Sequence, residues 1–180
     1  MLKNIEGVHE TFVRCSYFME NWTMFPDSLK APEPFFYSTV TPVDYRFPMI
    51  AVKDIGEVLA REALDIPKEE KSRKSDGTMP SPDIYELHGP EDYTPLDVKA
   101  SLTKAMGKEV EIRPVEQKDL DEFFGHIFPP DQCKEWVEMA KCFLPGGVAL
   151  LNPPPESESR VVRGKVTLDD MIGEAVKSLA

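Results

Sequence analysis

The sequence predicts an α/β fold with a small mixed sheet and about five helices. Short β-prone runs, such as Thr11–Cys15 and Phe47–Val52, alternate along the chain with amphipathic segments of helical spacing. The 180 residues are 41% hydrophobic, which is enough to build the core of one domain. Seventeen prolines, about twice the usual share of roughly 5%, favour short elements joined by fixed bends.

In the N-terminal part, the predicted strand Thr11–Cys15 leads into the aromatic segment Ser16–Trp22. Four prolines between residues 26 and 46 predict extended or looped chain, because proline interrupts helices. After the strand Phe47–Val52, the spacing predicts a helix over residues 54–64 whose first residue, an aspartate, caps it.

The central part predicts a strand followed by a strongly delimited helix. The strand Ile84–His88 ends at a Gly-Pro turn. Thr94, with Pro95 after it and Asp97 at the third helical position, is typical of a capped helix start, and Gly107 is typical of its end. The helical spacing predicts that this helix buries Val98, Leu102, Ala105 and Met106.

The C-terminal part predicts the strand Glu109–Val115 and then helices over residues 117–124 and 131–144, separated by a Pro-Pro break. The last helix is predicted to begin at Thr167, with acidic residues at its positive end. Two polar segments are predicted to carry no regular structure. They are a flexible surface insert at 66–82 and an exposed loop at 152–160.

Composition and charge exclude several classes of function. The formal net charge of −11 predicts repulsion from phosphate backbones and anionic lipid surfaces, so we expect neither a nucleic-acid nor a membrane partner. Three scattered cysteines and three scattered histidines have no metal-ligand spacing, and we expect no metal. No apolar run spans a bilayer and the first residues lack a signal core, so a cytoplasmic location is expected.

Several segments, taken in order, resemble the C-terminal part of NmrA-like proteins, which are atypical members of the short-chain dehydrogenase/reductase superfamily. The matching pieces are RCSYFMENW, FYSTVTPVDYRFPMIAVKDIGEV, YELHGPEDYTPLDV, EVEIRPV and RGKVTLDDMI. This resemblance implies a truncated, Rossmann-related fold in which residues 1–180 form a single domain.

The chain departs from the family pattern in its glycines. NmrA-like proteins begin with a strand, a glycine-rich turn and a helix whose N-terminus holds the dinucleotide pyrophosphate. No such glycine cluster exists among the ten glycines here. We therefore expect no nicotinamide cofactor, and we expect the chain to correspond to the substrate-binding half. Strands Thr11–Cys15 and Ile84–His88 would then lack their usual partners, which predicts a homodimer that covers the sticky strand edges.

The resemblance and the residue types together indicate candidate site residues. Candidate catalytic groups are Glu20, His88, His126, Lys53 and Asp54, because carboxylates among aromatic residues and histidines suit acid/base chemistry. Candidate substrate-binding residues are Arg14, Tyr17, Phe18, Asn21, Trp22, Tyr37, Phe124 and Phe128. Several have a structural alternative: core packing for the aromatic residues and the cluster that includes His126, a helix cap for Asp54, a surface position for Lys53 and a turn position for His88.

Two functional hypotheses of different class follow. The first is a cofactor-independent enzyme of secondary metabolism that binds an aromatic, polyketide-like molecule. It would promote isomerisation or intramolecular cyclisation, for example addition of a phenol oxygen to an alkene. The second is a regulatory or binding module, or one half of a split reductase that needs a nucleotide-binding partner chain.

Overall fold

The computed structural model describes residues 11–64, 83–148 and 160–179. The strands are β1 Thr11–Cys15, β2 Tyr17–Phe18, β3 Phe35–Ser38, β4 Phe47–Ile50, β5 Asp83–His88, β6 Asp92–Tyr93, β7 Glu111–Pro114 and β8 Arg160–Arg163. The α-helices are α1 Pro26–Lys30, α2 Val52–Leu64, α3 Pro95–Met106, α4 Leu120–Gly125, α5 Pro130–Cys142 and α6 Leu168–Ser178. Short 3-10 helices span Met19–Thr23 and Gln117–Asp119. These elements confirm the predicted α/β class.

The strands form three small sheets. In the first, β5 lies between β1 and β8, and all three strands are parallel. In the second, β4 pairs in parallel with β2 and antiparallel with β6. The third joins β3 and β7 in parallel. The expectation that β5 lacks strand partners is wrong, because β1 and β8 cover both of its edges.

One face of the first sheet packs against α2. Tyr85 and Leu87 of β5 are buried there with Val58 of α2, in a cluster that also takes in Cys15 and Val162. Alternate residues of a strand point to opposite faces. Arg14 and Glu86, which are register partners in β1 and β5, therefore lie on the other face.

The main core lies between β4, α3 and α6. Met49, Leu102 and Ile172 are each at most 1% exposed within it. Thr94 and Thr167 cap α3 and α6, and each forms a reciprocal capping box with the aspartate three residues later. The predicted cap at Thr94 is confirmed, as is the predicted end of α3 at Gly107, which has a left-handed φ of 68°.

Several predictions of detail are wrong. Ala105 is exposed rather than buried. The proline-rich stretch contains the short helix α1, which Pro26 starts at a position where its missing N–H is not needed. Strand β8 begins at Arg160, inside the segment predicted as an exposed loop, because β5 supplies a parallel partner for it. The predicted insert at 66–82 and most of the loop at 152–160 lie outside the described residues.

Asp54 does not cap α2. The helix begins two residues earlier, at Val52, whose backbone N–H donates to Oε1 of Glu20 at 2.8 Å. Asp54 is buried in the first turn, and its Oδ2 accepts from the backbone N–H groups of Lys165 and Val166, both at 3.0 Å. The carboxylate thus links α2 to the segment that leads into α6.

Candidate functional site

A cavity of about 290 Å³ opens between the β1–β2 segment and the helices α4 and α5. Its walls are mainly aromatic and include Tyr17, Phe18, Phe25, Tyr37, Phe123, Phe124, Phe128, Trp136 and Phe143. Asn21 and Thr39 are polar residues of the lining. No charged side chain is among the described residues that line the cavity, so it suits a neutral, flat, apolar ligand.

The chain builds the helical wall of this cavity through stacked rings. Phe128 and Trp136 stack with ring centroids 4.3 Å apart and an interplanar angle of 3°. Phe124 packs against both rings. Pro130 is the first residue of α5, which follows α4 after a short connection. Helix α5 packs against α4, and this packing places Trp136 next to Phe124. The wall is therefore part of a small hydrophobic core.

Tyr17 combines a ring packed among aromatic residues with a buried phenol hydroxyl. Its ring contacts the rings of Trp22, Phe47 and Phe143 at centroid distances of 5.2–5.5 Å. Burial raises the pKa of Tyr17 to about 12, although hydrogen bonds with Asn21 and Thr39 act in the opposite direction. The phenol stays protonated at neutral pH, so its hydroxyl can donate a hydrogen bond to a ligand oxygen.

A second, more polar space of about 690 Å³ adjoins the cavity, and we call it the cleft. Cys15, Ser16 and Phe143 line both spaces. The side of the cleft formed by the first sheet carries Arg14 and Glu86, whose Nη1 and Oε1 atoms are 3.1 Å apart. The remaining described lining residues are Tyr45, Arg46, Phe47, Pro48, His88, Asp92, Val148 and Val161.

His88 ends β5 and faces the cleft. Burial and the nearby positive charge of Arg163 lower its pKa, and Asp92 and Glu86 only partly oppose this shift. The imidazole is therefore neutral at pH 7 and can accept a proton. Its position depends on Gly89, because a Cβ on that residue would come within 2.4 Å of the carbonyl oxygen of Met49.

The structure brings together part of the set predicted from sequence. Tyr17, Phe18, Asn21, Tyr37, Phe124 and Phe128 line the cavity, and Arg14 and His88 line the cleft. Trp22 is 3% exposed in the main core, where its Nε1–H donates to the sulfur of Met49. Glu20 lies outside both spaces and holds the first residue of α2.

The other three candidate catalytic residues also lie away from the cavity and the cleft. His126 is exposed, and its Nε2 is 4.0 Å from Oε1 of Glu122. Lys53 and Asp54 border a separate open groove between α2 and α6. A side chain at position 164 would clash with Asp54, since a Cβ there would lie 2.2 Å from Oδ2.

Sequence reasoning missed several cavity residues, among them Phe25, Trp136, Met139 and Phe143. Trp136 and Phe143 fall on the apolar face of the helix predicted over 131–144. Helical spacing indicates which residues share that face, and it does not separate a core contact from a cavity wall. Phe25 lies directly before α1, a helix that was not predicted because the prolines of this stretch indicated extended chain.

Two features are absent from the part of the chain that the structure describes: a metal-binding cluster and a membrane-spanning helix. Within residues 11–64, 83–148 and 160–179, no group of three His, Cys, Asp or Glu side chains is placed to hold a metal ion. Over those same ranges, every helix is too short or too polar to cross a lipid bilayer.

Comparison with family models and with curated proteins finds no match for this chain. Among solved structures, a ternary complex of leucoanthocyanidin reductase from Vitis vinifera matches 95% of this chain and 56% of its own, with a TM-score of 0.65 and 13% identity. A nucleoside-diphosphate-sugar epimerase from Staphylococcus aureus matches 93% of this chain and 53% of its own, with a TM-score of 0.54 and 20% identity.

This chain thus spans just over half the length of both matched structures. The likeness extends over nearly the whole of this chain, and at these identities it shows a shared fold. The chain therefore has a Rossmann-related α/β fold.

Proposed function

We propose that this chain binds a neutral aromatic small molecule in the cavity and promotes acid/base isomerisation or cyclisation of it without a redox cofactor. The observation that carries the proposal is the aromatic, uncharged cavity around the hydroxyl of Tyr17. Such a cavity selects ligands by shape and burial of apolar surface, and a single protonated hydroxyl within it can orient a carbonyl or phenol oxygen.

The proposed chemistry is addition of a phenol to a conjugated alkene within one molecule. The phenol oxygen forms a bond to the β-carbon, and the π bond of the alkene breaks. Tyr17 donates a hydrogen bond to the carbonyl oxygen, which takes up the developing negative charge. His88, in the adjoining cleft, accepts the phenol proton and returns it to the α-carbon. The product is an isomer of the substrate, so no oxidant or reductant is needed.

A second candidate function is that of a binding or regulatory module. What favours it is the absence of any charged side chain among the described residues of the cavity wall, which leaves the cavity itself without an acid/base pair. A third candidate, half of a split reductase, is favoured by the match to just over half of a reductase structure. In that case a partner chain would supply the nucleotide site.

One experiment separates these candidates. The purified chain is titrated with NADPH, and it is incubated separately with a phenol that bears a pendant enone, with product formation followed by chromatography. Cyclisation at least about 100-fold faster than in buffer, without NADPH binding, supports the proposal. Aromatic binding without turnover supports the binding module, and tight NADPH binding contradicts the cofactor-free reaction.

A further inference from the structure

We propose that the ligand of this site has two parts: a neutral aromatic part in the cavity, and an uncharged, hydroxyl-bearing part, such as a sugar, in the cleft. This inference deepens the proposed function and depends on aromatic binding in the cavity. It adds the chemical class of the substituent that the aromatic part carries.

The sizes of the two spaces support a ligand with two parts. The cavity, at about 290 Å³, lies at the lower end of the range of roughly 300–1,000 Å³ that small-molecule sites occupy. It can therefore hold one or two fused rings and little more. The cleft offers about 690 Å³ and shares Cys15, Ser16 and Phe143 with the cavity, so a longer ligand can continue directly into it.

The cavity and the cleft meet at a junction lined by Ser16 and Phe143. The rings of Phe143 and Tyr17 meet edge to face, with centroids 5.2 Å apart, so the Tyr17 phenol and the junction belong to one packed unit. Ser16 lies beside it, with its backbone N–H bonded to the carbonyl oxygen of Leu87. A ligand that extends from the cavity into the cleft passes these residues.

The charges of the cleft argue against an anionic substituent. Arg14 is paired with Glu86 at 3.1 Å. Arg46 donates to the backbone carbonyl of Asp92 and lies 3.4 Å from Oδ2 of Asp97. Both cations of the described cleft wall are therefore already engaged, and the carboxylate of Asp92 adds a negative charge there. A carboxylate or phosphate would lose hydration without gaining a free cation.

The same wall suits hydroxyl groups. His88 and the hydroxyl of Tyr45 can each donate or accept a hydrogen bond, and Asp92 can accept one. Hydroxyl groups of a sugar both donate and accept, so they match such a mixed set without requiring a net charge. The cleft thus favours a neutral polyhydroxyl group.

The test is a binding series by calorimetry with three probes: 2-naphthol, 2-naphthyl β-D-glucoside and 2-naphthyl β-D-glucuronide. We expect the glucoside to bind about 10-fold more tightly than naphthol, as one or two added hydrogen bonds allow, and more tightly than the equally large but anionic glucuronide. Equal affinities for naphthol and glucoside, or a preference for the glucuronide, would overturn this inference and leave the proposed function intact. If none of the three probes binds, both this inference and the proposed function are contradicted.

A pair of variants tests the role of the ion pair. Glu86→Gln releases Arg14 from its partner and is expected to tighten glucuronide binding about 10-fold relative to the glucoside. Glu116→Gln makes the same change of charge at an exposed position outside the described walls of the cavity and the cleft, and it should leave the preference unchanged. An unchanged preference in Glu86→Gln contradicts the charge argument. If that variant fails to fold, the series on the wild-type chain still decides.

Discussion

Tyr17 stands at the boundary between the main core and the cavity, with its ring packed against Trp22, Phe47 and Phe143. Its hydroxyl has hydrogen bonds with Asn21 and Thr39, two residues that also line the cavity. A phenol is protonated at neutral pH and burial raises the pKa of Tyr17 further, so its role in the proposed reaction is to donate a hydrogen bond.

Replacing Tyr17 by Phe separates binding from turnover. The variant Tyr17→Phe keeps the ring and should change the affinity for an aromatic ligand by less than about 10-fold, whereas turnover should fall by about 100-fold or more. The comparison is made by calorimetry and by product formation. Tyr93→Phe is the control, because its hydroxyl accepts from the backbone of Leu168 and lies outside both spaces. Equal turnover in the two variants would contradict the role of Tyr17.

His88 makes folding stability depend on pH. The groups that face it are Arg163 from β8, Asp92 from β6 and Glu86 from β5, and the net effect is a lowered pKa. The unfolded chain therefore binds a proton more readily than the folded chain does, so the contribution of His88 is complete above pH 6.5 and decreases as the pH falls. Between pH 7.5 and 5, wild-type stability should fall more steeply than that of His88→Gln in urea unfolding. Parallel curves would show that the shift is absent.

The sequence predicts part of this site and misses the rest for a physical reason. Tyr17, Phe18 and Asn21 are predictable because they lie within one aromatic segment that also carries the family resemblance. Trp136 and Phe143 reach the cavity only because α5 folds back over α4, and that packing is not encoded in local spacing.

Helix α2 shows how one buried carboxylate can join two elements. Asp54 of its first turn accepts two backbone hydrogen bonds from Lys165 and Val166, and Gly164 leaves the space for it. These contacts fix the segment between β8 and α6 against α2. Asp54 therefore has a structural role, and it lies outside the cavity.

The variant Asp54→Ala should be destabilised by about 1–3 kcal/mol, because two backbone N–H groups lose their acceptor. Glu57→Ala removes an exposed carboxylate from the same helix and should shift stability by less than about 0.5 kcal/mol. Chemical unfolding measures both changes. If Asp54→Ala keeps wild-type stability but loses turnover, the residue acts in catalysis instead.

The elements differ in how well local sequence predicts them. Helices α3 and α6 are predictable because a threonine followed three residues later by an aspartate satisfies the helix start without any distant partner. Strand β8 is four residues long and follows a polar segment, and β5 supplies the pairing that makes it a strand. Local sequence does not predict such pairing, because the two strands are far apart along the chain.

At the scale of the whole molecule, β1 forms one edge of the first sheet in the part of the chain that the structure describes. Phe12 on this strand is 42% exposed. Exposed strand edges with apolar residues favour pairing between chains. We therefore propose a homodimer in which the β1 edge takes part.

The mass in solution tests this proposal. Sedimentation should give about twice the chain mass of 20.4 kDa for the wild type, and the monomer mass for Phe12→Lys, because a charge on an edge strand opposes pairing. Leu96→Lys places the same charge at a similarly exposed position on α3 and should remain dimeric. A monomeric wild type would refute the dimer.

The aromatic cavity is expected to bind a neutral aromatic ligand, and calorimetric titration with 2-naphthol tests this binding most directly. Phe18 lines the cavity and is 41% exposed, whereas Leu96 is 45% exposed and lies outside the described cavity wall. Saturable binding to the wild type should weaken about 2- to 10-fold in Phe18→Ala and stay unchanged in Leu96→Ala. No binding to the wild type, or equal affinities in all three proteins, would contradict the claim.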